Sequence, residues 1–363
     1  KCIDLLVISA CFDYTAAVKN EGQSMQFRLF TFVVCFTGLV ACAPQDPIQK
    51  FSGPAQGSTY NISYWSEQTV NAESLQQQVD AELSRIDKVM SNYRKDSVIE
   101  AFNAQTTTDS FEVGSELVEL VRIAREISSQ SQGCYDLTVK PLFDLWGFKA
   151  DKFNQPTAEQ ISETLAQVGM AKISEEGPSM LSKKLPTMRI DVSSIAQGYT
   201  VRRLTAILEQ AGVQNYLVEV GGELQVRGKK PEQKPWKVAI EKPLPGEQTL
   251  QKIITIQQDE PLAVMTSGTY RHYFDANGKR FSHVLDARSG SPVQHQTVST
   301  TVFIENPTYA DAWSTAFLCL GSQDGKAVAD RLGLKVLFID QHGDELQELA
   351  SDALRQTKAV TLQ

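Results

Sequence analysis

Asp311 and Thr315 stand four residues apart in the run Ala310-Asp311-Ala312-Trp313-Ser314-Thr315. On a helix that spacing sets both oxygens on one face. A carboxylate beside a hydroxyl is part of a hard-cation site of the kind Mg2+ accepts, with phosphate, water or another segment filling the other positions. The same aspartate lies three residues after Thr308, so it would equally serve to cap and charge a first helical turn. A second candidate is the stretch from Arg189 through Asp191, Ser193, Ser194 and Gln197 to Tyr199. A strand end entering a helix there would turn backbone N–H groups and a partial positive charge toward a phosphate. Serines before a helix also act simply as caps.

Two further stretches carry polar chemistry. Thr266-Ser267-Gly268 with Tyr270-Arg271, and His283 to Gly290 with Asp286 and Arg288, flank a hairpin. Together they would form a phosphate-contacting rim, with His283 placed to move a proton, although a single histidine on a strand also serves packing. Cys134-Tyr135-Asp136-Leu137, continuing to Trp146-Gly147-Phe148, mixes aromatic and polar groups that suit a flat heterocycle or a core. The chain has no Gly-x-Gly-x-x-Gly or Walker loop.

The elements that must position these groups are legible in outline. Ser58, Tyr60, Ile62 and Tyr64 alternate as in a strand, and Val79, Leu83, Ile86 and Met90 follow helical spacing. A second helix carries Leu117, Leu120, Val121, Ala124 and Ile127 and closes at Gln132-Gly133. Thr157 and Gln160 form a capping box for a third helix ending at Gly169. A fourth is expected over residues 199–211, and a last long one, capped at Thr308, to Gly321. Strands fill the second half, with Gly221-Gly222 and Asn277-Gly278 as turns. Helices and strands come in blocks, which favours an α+β fold with antiparallel sheets, one domain of two closely packed lobes.

Composition narrows the partners. The 363 residues are 42% hydrophobic and 21% charged, with a formal net charge of −8, so nothing basic invites nucleic acid. Residues 25–41 read as a secretory signal: Arg28 precedes an apolar run over 29–40 that is too short for a permanent membrane span. Leu39-Val40-Ala41-Cys42 resembles a bacterial lipobox, which makes Cys42 the lipidated first residue of the mature protein. Residues 1–24 read as an upstream extension and 42–54 as a tether, leaving 55–363 as the folded domain. Of the cysteines in that domain, Cys134 and Cys319 are expected to be buried thiols, not a disulfide framework.

The order of these segments carries more than any one of them. Gln56-Gly57-Ser58, Ser91-Asn92-Tyr93 with Phe102-Asn103, Tyr135 to Leu142, Asp191 to Tyr199, Val220-Gly221-Gly222-Glu223, Thr266-Ser267-Gly268, His283 to Gly290 and Asp311 with Thr315 follow in succession. That succession resembles the ApbE family, the FAD:protein FMN transferases, over essentially all of the mature chain. The resemblance implies a T-fold-like α+β architecture with FAD in a cleft between lobes. It implies Mg2+ held by Asp311 and Thr315 with Ser194 or a neighbouring carbonyl, and Gln56, Tyr93, Cys134, Tyr135, Asp136, Asp191, Gln197 and Val264 along the FAD. It also implies transfer of FMN to a Thr or Ser hydroxyl of a partner, with release of AMP and with His283 or a nearby carboxylate as base. The implied partners are periplasm-facing subunits of membrane redox complexes, of the sodium-translocating NADH:quinone reductase or Rnf type. A lipid anchor in the cell envelope, at the inner membrane, suits them. Departures from the family pattern include Gln56 for methionine, Gln197 for a charged residue and Ala287 for proline. An FAD pyrophosphatase and a non-catalytic flavin-binding lipoprotein remain as alternatives.

Overall fold

The computed structural model describes residues 47–148, 151–244, 249–270, 272–276 and 278–363. The expected signal segment, Cys42 and residues 43–46 of the expected tether, Arg271 and Asn277 lie outside these residues, whereas residues 49–54, also expected as tether, belong to the first strand, so the folded part begins before residue 55.

Alternation in the sequence builds one large sheet. Its strands are β1 (Gln49–Ala55), β2 (Ser58–Trp65), β3 (Asn215–Val220), β4 (Glu223–Arg227), β5 (Leu262–Gly268), β6 (Thr297–Ile304), β7 (Lys335–His342) and β8 (Glu345–Ala350). They lie side by side in chain order, and every neighbouring pair is antiparallel. The β1–β2 hairpin turns on Gln56 and Gly57, both at positive φ (48° and 77°), as a two-residue turn between twisted strands requires.

Six helices are inserted between β2 and β3: α1 (Ala72–Met90), α2 (Val98–Ala104), α3 (Ser115–Gln130), α4 (Lys140–Trp146), α5 (Ala158–Leu165) and α6 (Ser193–Gln210). Helix α7 (Pro307–Leu332) joins β6 to β7, and α8 (Asp352–Gln356) follows β8. The α1 stripe of Leu75, Val79, Leu83, Ile86 and Met90 is buried as its spacing requires. The Thr157/Gln160 capping box forms as expected. Among the described residues, no helix is long and apolar enough to cross a membrane.

Both faces of the sheet are covered. Tyr60, Ile62, Tyr216, Val218, Met265 and Phe338 point into the core shared with the helices. The alternate residues Leu217, Leu224, Leu262, Val264, Phe303 and Leu337 pack against a small sheet of Lys237–Glu241, Leu250–Ile256 and Val360–Leu362. This mixed, antiparallel α+β arrangement agrees with the expected class.

Helix α5 ends at Leu165, short of the expected Gly169, and the boundaries of two further helices differ in ways that bear on function. Helix α6 starts at Ser193 rather than near Tyr199, so Ser193 and Ser194 occupy its first turn. Helix α7 is capped by Asn306, whose side chain accepts from the N–H groups of Thr308 and Tyr309. It also continues past a break at Gly321 (φ 77°) to Leu332.

Candidate active site

Because Asn306 caps α7, Asp311 is released from the capping role its position allowed. Its carboxylate crosses to α6, where Oδ2 accepts from the Gly198 N–H at 2.7 Å. Only glycine fits there: a Cβ on residue 198 would lie 2.3 Å from the Pro307 carbonyl oxygen and 2.5 Å from the Asp311 Cβ. The two helices therefore touch where the candidate metal ligands sit.

Hydroxyls lie on the same two helices and on β5. Thr315, one turn after Asp311, shares a 3.0 Å hydrogen bond with Ser267 on β5, and Ser267 meets Ser314 at 2.7 Å. Ser194 donates to the buried Tyr135 hydroxyl at 3.1 Å. Burial raises the Tyr135 phenol far above its ordinary range, and the carboxylates of Asp311, Asp136 and Asp191 add to the effect. Tyr135 is thus a fixed hydrogen-bonding group rather than a base. Asp191 holds the entrance of α6, accepting from Ser193 N and Oγ at 2.9 and 2.6 Å.

Asp311 is 4% exposed, and among the described residues no basic side chain pairs with it. Burial pushes its carboxyl up to about 7, against the opposing effect of the Gly198 N–H. A buried carboxylate with no basic partner among the described residues, with the Thr315 hydroxyl one turn along its own helix and Ser194 on the helix it contacts, fits a hard divalent ion. Mg2+ typically takes one or two carboxylates and fills its shell with water and phosphate oxygens, and this donor set leaves room for both.

On the far side of the α6 first turn lies an open cleft of about 1220 Å3. Gln56, Tyr93, Ser193 and Gln197 line it, so three of the expected FAD residues meet there. Tyr93 is 85% exposed at the rim. Gln56 donates to Thr200 at 2.9 Å, while its carbonyl oxygen is buried without a protein partner. Residues 193, 196 and 197 face this cleft, whereas Ser194 and Gly198 face Tyr135 and α7. One helical turn therefore separates a roomy cleft from the hydroxyl-and-carboxylate cluster. A second cavity of about 670 Å3 is lined by Glu116, Glu119, Arg202 and Arg203. Its charges are already paired, Arg202 with Glu119 and Arg203 with Glu82.

Other expected residues are placed differently. Cys134 and Cys319 are not thiols: they form a disulfide spanning 185 residues of sequence, with the Cα atoms 6.0 Å apart. The bond ties the residue before Tyr135 to α7, one turn beyond Thr315. Cys134, Asp286 and Cys319 come together, but the sulfurs are spent on each other. Val264 is fully buried on the sheet face opposite the helices, so its side chain cannot line the cleft. The Asp136 carboxylate caps Thr138 (2.7 Å) and accepts from Met170 N (2.9 Å), which makes it a structural bracket for the Tyr135 segment. His283 lies beyond the Lys279–Ser282 strand, with Nδ1 2.9 Å from the His272 carbonyl oxygen. A carbonyl only accepts, so Nδ1 carries a proton, and in the neutral ring Nε2 is then the acceptor nitrogen.

Sequence reasoning missed Gly198 and Ser267 as members of the cluster. The only signal for either was its place in a motif, because the partners lie 113 and 48 residues away in the chain.

A sequence profile of the ApbE family matches residues 56–338. The FAD:protein FMN transferase of Vibrio cholerae is 35% identical over 320 residues, 87% of this chain and 95% of that one. Its counterpart in Haemophilus influenzae is 36% identical over 310 residues, 83% of this chain and 89% of that one. Among solved structures, the apo flavinyl transferase ApbE of Pseudomonas stutzeri superposes with a TM-score of 0.78 at 37% identity, covering 86% of this chain and 97% of that one. The flavin transferase ApbE of Vibrio cholerae gives 0.77 at 33% identity, covering 86% and 99%.

Proposed function

The chain belongs to the ApbE family and transfers FMN from FAD to a protein, and we propose that it does so with Mg2+ at Asp311 and Thr315. The observation that carries this reading is the Asp311 carboxylate: buried, excused from capping by Asn306, without a basic partner among the described residues, one turn before Thr315 on α7 and bonded to the α6 backbone four residues after Ser194. Bound there, the ion would neutralise charge on the pyrophosphate as the leaving oxygen develops.

The protein's own groups would then act as follows. Gln56, Tyr93 and Gln197 hold one half of FAD in the cleft, which we read as the space between two lobes. Asp191 and the first turn of α6 present Ser194 to the phosphates. A Thr or Ser hydroxyl of the acceptor attacks the FMN phosphorus and forms a phosphoester. The bond from that phosphorus to the bridging oxygen breaks, and AMP leaves. His283, with Nδ1 fixed against a carbonyl, would take the hydroxyl proton at Nε2.

The acceptors fitting this reading are periplasm-facing subunits of sodium-translocating NADH:quinone reductase or Rnf-type complexes. Lipidation at Cys42 would hold the enzyme beside them at the inner membrane. Incubation with FAD, Mg2+ and an acceptor domain tests the assignment. Covalent flavin on the acceptor together with AMP supports it. Free FMN and AMP without covalent flavin would make the chain a pyrophosphatase, and unchanged FAD would make it a flavin-binding protein.

A further inference from the structure

Residues 190–192 lead into the first turn of α6 but belong to no strand, so their backbone polar groups need partners from elsewhere. Two buried asparagines supply most of them. Asn103 accepts from Ile190 N at 2.8 Å and donates to Ile190 O at 2.9 Å. Asn92 donates to the same oxygen at 3.2 Å and accepts from Val192 N at 3.1 Å. Asp191 N, between them, reaches Leu137 O at 2.8 Å. Asn92 and Asn103, 7% and 6% exposed, also both donate to Glu100 Oε1, at 2.9 and 3.0 Å. The buried Lys140 ammonium lies 3.9 Å from that oxygen.

Each amide thus uses its oxygen and its nitrogen at once, which fixes its orientation. The pair does for this segment what a neighbouring strand does in a sheet. Its product is the pose of Asp191 and of the first two turns of α6, where Ser194 meets Tyr135 and Gly198 meets Asp311.

We propose that Asn92 and Asn103, locked together through Glu100, are positioning residues for the FAD and metal site. They hold residues 190–192 so that Asp191 and Ser194 face the nucleotide. The inference rests on the reading of Asp191 and Ser194 as part of that site. Removing one amide leaves the other holding Ile190, so the segment is loosened rather than released. If the binding-competent pose is then populated only part of the time, apparent affinity falls in proportion, while the saturated enzyme still turns over. This separates positioning from a merely structural role, which would lower stability alone.

The test compares Asn92→Ala, Asn103→Ala, Asp191→Ala and Val238→Ala. Val238 is a fully buried control in the cluster on the opposite sheet face. In each variant FAD dissociation is measured by flavin fluorescence, with KM and kcat from acceptor flavinylation at saturating Mg2+ and Tm from thermal unfolding. Each asparagine variant is expected to raise Kd and KM for FAD about tenfold and to change kcat less than about threefold, the scale of one or two lost hydrogen bonds acting on a population. Val238→Ala is expected to lower Tm at an unchanged KM. Should an alanine variant fail to fold, Asn103→Asp keeps the bond to Ile190 N but loses both donors, and the same KM shift is required of it. Asparagine variants that lose Tm like Val238→Ala yet keep the parental KM would overturn the proposal, as would a fall in kcat at unchanged KM. If Asp191→Ala alone weakens FAD binding, only the positioning claim fails. If Asp191→Ala also binds FAD like the parent, the reading of the site itself fails.

Discussion

Reducing the Cys134–Cys319 bond is a demanding perturbation of this fold, because it joins the Tyr135 segment to the helix bearing Asp311 and Thr315. The bond closes a loop of 185 residues. The chain-entropy relation for a loop of that size gives a ceiling of about 5 kcal/mol of stabilisation, and native disulfides commonly deliver about 2–5 kcal/mol. Over the roughly 300 residues of the folded part, unfolding entropy near Tm is about 0.6 kcal/mol per degree, so the expected fall in Tm is about 3–8 °C. Thermal unfolding with and without a phosphine reductant reads this directly, and a Cys134→Ala/Cys319→Ala variant should be indifferent to the reductant. Peptide mapping of the unreduced protein should find the two cysteines linked. Alkylation of both in denatured, unreduced protein, or a Tm that ignores the reductant, would refute the reasoning.

Two further outcomes follow from the geometry. Glu82 is held at about 2, below its usual 4.5, by Arg85 foremost and, against the cost of burial, by Arg203. A depressed carboxyl stabilises the fold above its unfolded pKa and loses that contribution as pH falls from about 4.5 toward 2. With Glu82 only 11% exposed but its arginines about 40% exposed, the loss should be about 1–3 kcal/mol by denaturant unfolding. Glu82→Gln should flatten that limb, and an unaltered acid limb would contradict the assignment. Gly198→Ala places a Cβ against the Pro307 carbonyl and Asp311, and should cost about 1–3 kcal/mol of stability. It should also raise half-saturating Mg2+ in flavinylation about tenfold or more, the equivalent of 1.4 kcal/mol at the helix contact, and parental Mg2+ dependence would refute the contact's role.

The sequence was most informative where structure is local. The α1 stripe, the Thr157/Gln160 capping box and the i,i+4 relation of Asp311 to Thr315 are periodicities within a turn or two, and all are present. The boundary of α7 was misplaced because Thr308 and Asn306 are both good caps, and only the backbone decides between them. The sheet face that the Val264 side chain joins is hidden in the sequence for a different reason. Residues 262–265 are all buried because the sheet is covered on both faces, so alternation gives no clue to which face a side chain joins. The disulfide and the Asn92/Asn103 pair are contacts across 185 and about 90–100 residues, where spacing carries no signal. Order of motifs could flag those asparagines, but their partners are fixed only by tertiary structure.

The most direct test of the central claim is Asp311→Asn. The substitution keeps size and can keep the acceptor for the Gly198 N–H, but it removes the charge proposed to hold Mg2+. Flavinylation of an acceptor domain is measured at saturating FAD and Mg2+, with Tm as the check on folding. The expected result is a loss of about 100-fold or more in transfer, the scale of a missing preorganised electrostatic contact, with Tm unchanged or raised because a buried unpaired charge is gone. Parental transfer rates at saturating Mg2+ in a folded Asp311→Asn protein would contradict the account.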